Sequence, residues 1–122
     1  MNTYMLLLHD SINLGEQQNG NEVSAEDMQA IIGDYVGWRS KVEANGRLVG
    51  GEKLGDEGGR HIRMTDGEIR VTDGPFAEVK EALGGYFAIK AADYDEAVEI
   101  SKGCPHLKYG GWIELREVDE TH

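Results

Sequence analysis

Asp73 opens the run Asp73-Gly74-Pro75-Phe76, and the pair Lys80-Glu81 follows soon after. A carboxylate in such a run has two uses. It can cap a tight turn, with Gly74 relaxing φ, Pro75 removing a donor and Phe76 plugging the core. It can also stand at the mouth of a pocket and orient an imidazole. Two histidines are candidates for that imidazole: His9 at the end of an apolar run, and His106 just after Pro105. A histidine within hydrogen-bond reach of its carboxylate can act as acid or base near neutral pH. The structural alternative is that both are hydrogen-bonded strand-end or surface residues. His61 and His122 are weaker candidates, one on the outer face of a hairpin and one at the last position.

Arg63 and Arg70 flank Asp66-Gly67, a pair suited to a two-residue type I′ turn. That turn sets Thr65 opposite Glu68, Met64 opposite Ile69, Arg63 opposite Arg70 and Ile62 opposite Val71. The apolar pairs then share one face, as a half-buried hairpin requires, and the arginines share the other. Like charges directly opposite repel. Nearby acids can offset them, or the two guanidinium forks can hold the carboxylate or phosphate of a small anionic molecule. Lys80 is a further candidate for that anion. Tyr86 and Trp38 can supply apolar walls or simply belong to the core.

Other chemistry lacks its residues. There is no His-x-x-x-His, no cysteine pair and no Asp-rich calcium loop, so no metal site is assigned. No phosphate-binding glycine loop is present, and no cofactor is assigned. The acids between Asp93 and Glu99 read as a solvated helix face, and the single Cys104 as an inert thiol.

These residues need elements to carry them. Thr3 to Leu8 suits a strand buried on both faces. Ser24 and Asp27 have capping-box spacing, and Val23 with Met28 suits a hydrophobic staple. Met28, Ile31, Ile32, Tyr35, Val36 and Val42 then recur close to a helical period, and Asn45-Gly46 supplies a stop. A strand follows at 47–52, then the hairpin over 61–72, a strand over 83–90, a helix over 93–102 and a closing strand over 112–118. Without the hairpin the order is βαββαβ, the split-βαβ pattern of an α+β ferredoxin-like domain. Its two helices can cover one face of the sheet, so the other face predicts a homodimer stacked sheet on sheet.

The run Val71-Thr72-Asp73-Gly74-Pro75-Phe76-Ala77-Glu78-Val79-Lys80-Glu81 resembles the DGPF-type branch of the YCII-related protein family. Tyr4 to Leu8, Gly84 to Ile89 and Gly103 to His106 are similar to it as well, so the resemblance spans most of the chain. It implies a ferredoxin-like fold, usually a dimer forming an α/β-barrel-like assembly. It also implies an enzymatic function resting on a histidine and an aspartate, since some relatives are linked to lyase or dehalogenating chemistry on small molecules. The branch's association with alternative sigma factors implies the other reading, a non-catalytic metabolite-binding or accessory module.

With 12 Lys and Arg against 23 Asp and Glu, the net charge is −11, which argues against nucleic acid and against an anionic membrane surface. Met5 to Leu8 is far short of the roughly 20 apolar residues that span a bilayer. The sequence therefore reads as one cytoplasmic domain over 1–122: a cofactor-independent lyase- or hydrolase-type enzyme using Asp73 with His9 or His106. Arg63, Arg70, Lys80 and Tyr86 are its candidate substrate contacts.

Overall fold

A computed structural model describes residues 1–11, 24–55, 59–73 and 81–121. The elements are β1 (Asn2–Ser11), α1 (Ala25–Ala44), β2 (Leu48–Lys53), β3 (Arg60–Thr65), β4 (Glu68–Asp73), β5 (Glu81–Ala91), α2 (Tyr94–Lys102) and β6 (Trp112–Glu117). A 3-10 helix, Pro105–Tyr109, precedes β6. Four strands form one antiparallel sheet in the order β2-β5-β1-β6, and β3-β4 form a separate hairpin. This α+β arrangement is compatible with a ferredoxin-like domain.

Local chemistry explains the helix ends. The Ser24 side chain accepts from the Asp27 backbone N–H, and the Asp93 side chain accepts from that of Glu96. Each satisfies a donor that the first helical turn leaves unpaired. Asn45-Gly46 and Gly103 end α1 and α2 as their sequence positions indicate. Val23 lies outside the described residues.

Alternation along β1 and β5 builds the core. Tyr4, Leu6 and Leu8 pair with Ile89, Phe87 and Gly85, and this face meets Trp38 and Val42 of α1 and Ala97 of α2. Leu6 and Ile89 are fully buried, each stabilising the fold by about 1.5–3 kcal/mol through burial. Met5, Leu7 and His9 point the other way and are half-buried. The expectation of a first strand buried on both faces is thus corrected. Two helices cover one face, and the second face keeps partial access to solvent.

The hairpin follows the register read from Asp66-Gly67, from Thr65↔Glu68 to Ile62↔Val71. Asp66 and Gly67 have φ of 52° and 80°, the positive values a type I′ turn demands. Its apolar face differs from expectation: Ile62, Met64, Ile69 and Val71 are 59–69% exposed rather than half-buried. Among the described residues, the hairpin forms a sheet of its own, separate from the four-stranded one.

No helix among the described residues is long and apolar enough to cross a membrane.

Candidate functional site

Between β1 and β5 the register slips: Leu8 faces Gly85 and His9 faces Leu83, leaving Gly84 as an extra residue. Such a bulge bends the strand and re-aims neighbouring side chains. Here it makes room for Asp10, because a Cβ on Gly84 would collide with the Asp10 carboxylate. Gly111 has the same relation to His106, whose ring occupies the space a Cβ would fill. Two glycines that read as strand punctuation therefore clear the ground for one carboxylate and one imidazole.

These two side chains face each other, with His106 Nε2 3.7 Å from Asp10 Oδ1. His106 is 6% exposed, while Asp10 is largely open to solvent. The 3-10 helix carries His106 and is braced against α1. Asp34 accepts from the Lys108 ammonium at 3.0 Å and from the Tyr109 hydroxyl. Those two hydrogen bonds, Tyr109 first, hold the Asp34 carboxyl below its ordinary range.

Both ring nitrogens of His106 are engaged. Nε2 donates to the main-chain carbonyl oxygen of His9 at 2.9 Å, and Nδ1 lies 3.0 Å from the Tyr35 hydroxyl. Burial, with smaller contributions from Cys104, Asp10 and Tyr109, pushes the Tyr35 phenol up to about 12. Tyr35 therefore stays protonated at neutral pH.

Asp10, Tyr35 and His106 line one cavity of about 470 Å³ between α1 and the sheet. One wall is the apolar stripe of α1, Met28, Ile32 and Val36, at the helical spacing of four residues. Leu8, Tyr86 and Phe87 come from the sheet side. Arg39, Glu52 and Lys53 also line it, and the Arg39 guanidinium donates to the Gly51 carbonyl at 3.2 Å. An apolar chamber with a few convergent polar groups has the general character of a small-molecule site.

The other sequence candidates lie elsewhere. The His9 ring is on the opposite sheet face, stacked on Trp112 at 4.3 Å with Nε2 3.2 Å from Glu114. Its main-chain carbonyl accepts from His106 Nε2. Asp73 ends β4, where its carboxylate lies 3.3 Å from Arg60 Nε and is strongly exposed. Among the described residues, no hydrogen bond or ion pair joins Asp73 to a histidine. Arg63 and Arg70 face each other in the hairpin and do not line the cavity. Arg70 pairs with Glu68 at 3.6 Å, an exposed contact worth about 0–1 kcal/mol. Trp38 belongs to the core, edge-on to Phe87. His61 pairs in register with Thr72 on the hairpin. Lys80, Pro75, Phe76 and His122 lie outside the described residues. Burial is the main cause that raises the Cys104 thiol, as expected of an inert buried group. Among the described residues no group of three or more His, Cys, Asp or Glu side chains could hold a metal ion.

Asp10 and Tyr35 are functional candidates that the sequence did not single out. Asp10 read as the polar exit of a strand, and Tyr35 as one position of an apolar helix stripe. The available signal was the glycine pairs at 84–85 and 110–111, each supplying a close approach to one member of the site.

An uncharacterized protein of Rhizobium meliloti (strain 1021) is 46% identical over 41 residues, a stretch covering 34% of this chain and 33% of that protein. The match spans about a third of the relative's length. The sequence profile of the YCII-related domain matches residues 4–121, so β1 from Tyr4 onward, both helices, the 3-10 helix and the closing strand fall within it. The chain belongs to the YCII-related domain family.

Proposed function

We propose that this protein is a small-molecule enzyme of the lyase or hydrolase type, acting by acid–base chemistry in the cavity under α1. One observation carries the reading. A buried histidine faces a solvent-accessible aspartate at 3.7 Å in an apolar chamber, and a glycine makes room for each of them. In this reading Asp10 takes the part that the sequence pattern gave to Asp73. The apolar walls favour a ligand with a flat or aliphatic body, and Arg39 and Lys53 favour one that carries or develops negative charge.

Assembly is part of the same reading. Met5 and Leu7 on the uncovered sheet face are half-buried, and Trp112 beside them is 38% exposed. This face supports a homodimer packed sheet on sheet. The accessory-module reading keeps the cavity and drops the chemistry, so turnover of a bound compound separates the two.

The test is binding of small phenols, enols and carboxylic acids, followed by NMR of methyl-labelled methionines. Ligands seated in the cavity shift the Met28 methyl, and Val36→Trp, which fills the chamber, abolishes the shift. Binding that survives Val36→Trp unchanged would place the site elsewhere.

A further inference from the structure

The hydrogen-bond valences around His106 leave one consistent arrangement for its neutral ring. A carbonyl oxygen can only accept, so Nε2, 2.9 Å from the His9 oxygen, carries the proton. Nδ1 then has only a lone pair, and the Tyr35 hydroxyl at 3.0 Å donates to it. With its proton committed to His106, Tyr35 offers the cavity only the lone pairs of its oxygen. His106 itself is 6% exposed and both its nitrogens are occupied, so a ligand meets Tyr35 before it meets the imidazole.

We propose that Tyr35 is the proton carrier of this cavity and that its ligand is a largely apolar molecule bearing a hydroxyl, a phenol or an enol. The inference rests on the cavity reading above and names its ligand class. The ligand hydroxyl donates to the Tyr35 oxygen. Its O–H bond then breaks as a new O–H bond forms at Tyr35. The Tyr35 proton passes to Nδ1 of His106 in the same movement. The products are a ligand oxyanion and an imidazolium, with no electrons gained or lost. Asp10, 3.7 Å from Nε2, stabilises the imidazolium, and Arg39 and Lys53 on the cavity wall stabilise the oxyanion. Glu52 and Asp10, also on the wall, oppose the oxyanion, so the two cations must outweigh both. Because Tyr35 regains a proton as it loses one, the high cost of ionising this buried phenol is never met.

The probe is para-nitrophenol, whose phenol and phenolate forms absorb at different wavelengths. Below its solution pKa, binding to the wild-type protein is expected to bring up the phenolate band. Tyr35→Phe keeps the apolar wall and is expected to bind the probe while lowering the bound phenolate fraction about tenfold, one unit of apparent pKa. His106→Gln is expected to do the same. Probe bound without ionisation in the wild type, or a phenolate band undiminished in Tyr35→Phe, would overturn the relay and leave the cavity reading standing. A probe that fails to shift Met28 in the wild type would overturn both. Long-range nitrogen NMR of the unliganded wild type gives a check that needs no variant: the Nε2–H tautomer is expected, and the Nδ1–H tautomer would overturn the proposal.

Discussion

His106 Nε2 donates to the main-chain oxygen of His9 at 2.9 Å, while the His9 ring lies on the other sheet face against Trp112. The two histidines that sequence offers as interchangeable candidates are thus divided by the sheet and joined through one peptide group. The contact fixes the His106 tautomer and leaves Nδ1 to Tyr35. It also separates the cavity from the uncovered face, so changes to the His9 ring and to His106 have distinct consequences.

The close approaches at Gly84 and Gly111 predict unequal costs. Gly111→Ala drives a methyl into a ring that is 6% exposed, so it is expected to destabilise by about 1–3 kcal/mol, the usual range for overpacking. Gly84→Ala meets the end of an exposed carboxylate that can swing into solvent, and is expected to cost less. Denaturant unfolding of both variants checks the order. Equal losses would mean that Asp10 is held as firmly as His106.

Burial predicts a second contrast. Leu6→Ala empties a fully buried position and is expected to cost about 2–5 kcal/mol. Ile62→Ala, on a side chain 68% exposed, is expected to stay within about 0.5 kcal/mol in the monomer. A large loss at Ile62 in chemical denaturation, growing with protein concentration, would show that a second copy covers the hairpin.

Alkaline pH reports on Tyr35. Its folded-state value is raised from 10.0 to about 12, so the unfolded chain releases this proton first. Stability therefore falls as pH rises from 10.0 towards about 12. Tyr4 and Tyr109 are raised as well and act in the same direction. Tyr35→Phe is expected to flatten part of that decline, measured by thermal unfolding across the range. An unchanged slope would remove Tyr35 from the buried hydrogen bond.

Acid pH reports on a different contact. Hydrogen bonds from Arg47, and then from the Ala92 backbone N–H at 2.8 Å, hold the Glu96 carboxyl below its ordinary value of 4.5. Its contribution is complete above that ordinary value and is lost as pH falls through the lowered one. Arg47→Ala is expected to shrink this acid-side loss, since the unpaired carboxyl then titrates closer to its unfolded value. Acid titrations of the two proteins that overlay, after correction for the difference at neutral pH, would contradict it.

Local rules made much of the fold legible. The Asp66-Gly67 turn set the four pairs of the hairpin from Thr65–Glu68 to Ile62–Val71, and Ser24 and Asp93 marked both helix starts, because turns and caps depend on neighbours in sequence. The site resisted the same reading because its contacts are distant. Tyr35 and His106 are 71 residues apart, and their bond exists only where the 3-10 helix packs on α1. A tyrosine in an apolar stripe gives no hint of its hydroxyl's partner. The bulge that aims Asp10 is likewise a property of two strands at once. Asp73, conspicuous in sequence, ends a hairpin where its carboxylate meets Arg60.

The most direct measurement is a crystal structure with bound para-nitrophenol. The ring is expected between the Met28–Ile32–Val36 stripe and Phe87, with the phenol oxygen within hydrogen-bond distance of the Tyr35 hydroxyl and His106 held against the His9 carbonyl. A ligand seated instead on the other sheet face, against the His9 ring and Trp112, would contradict it.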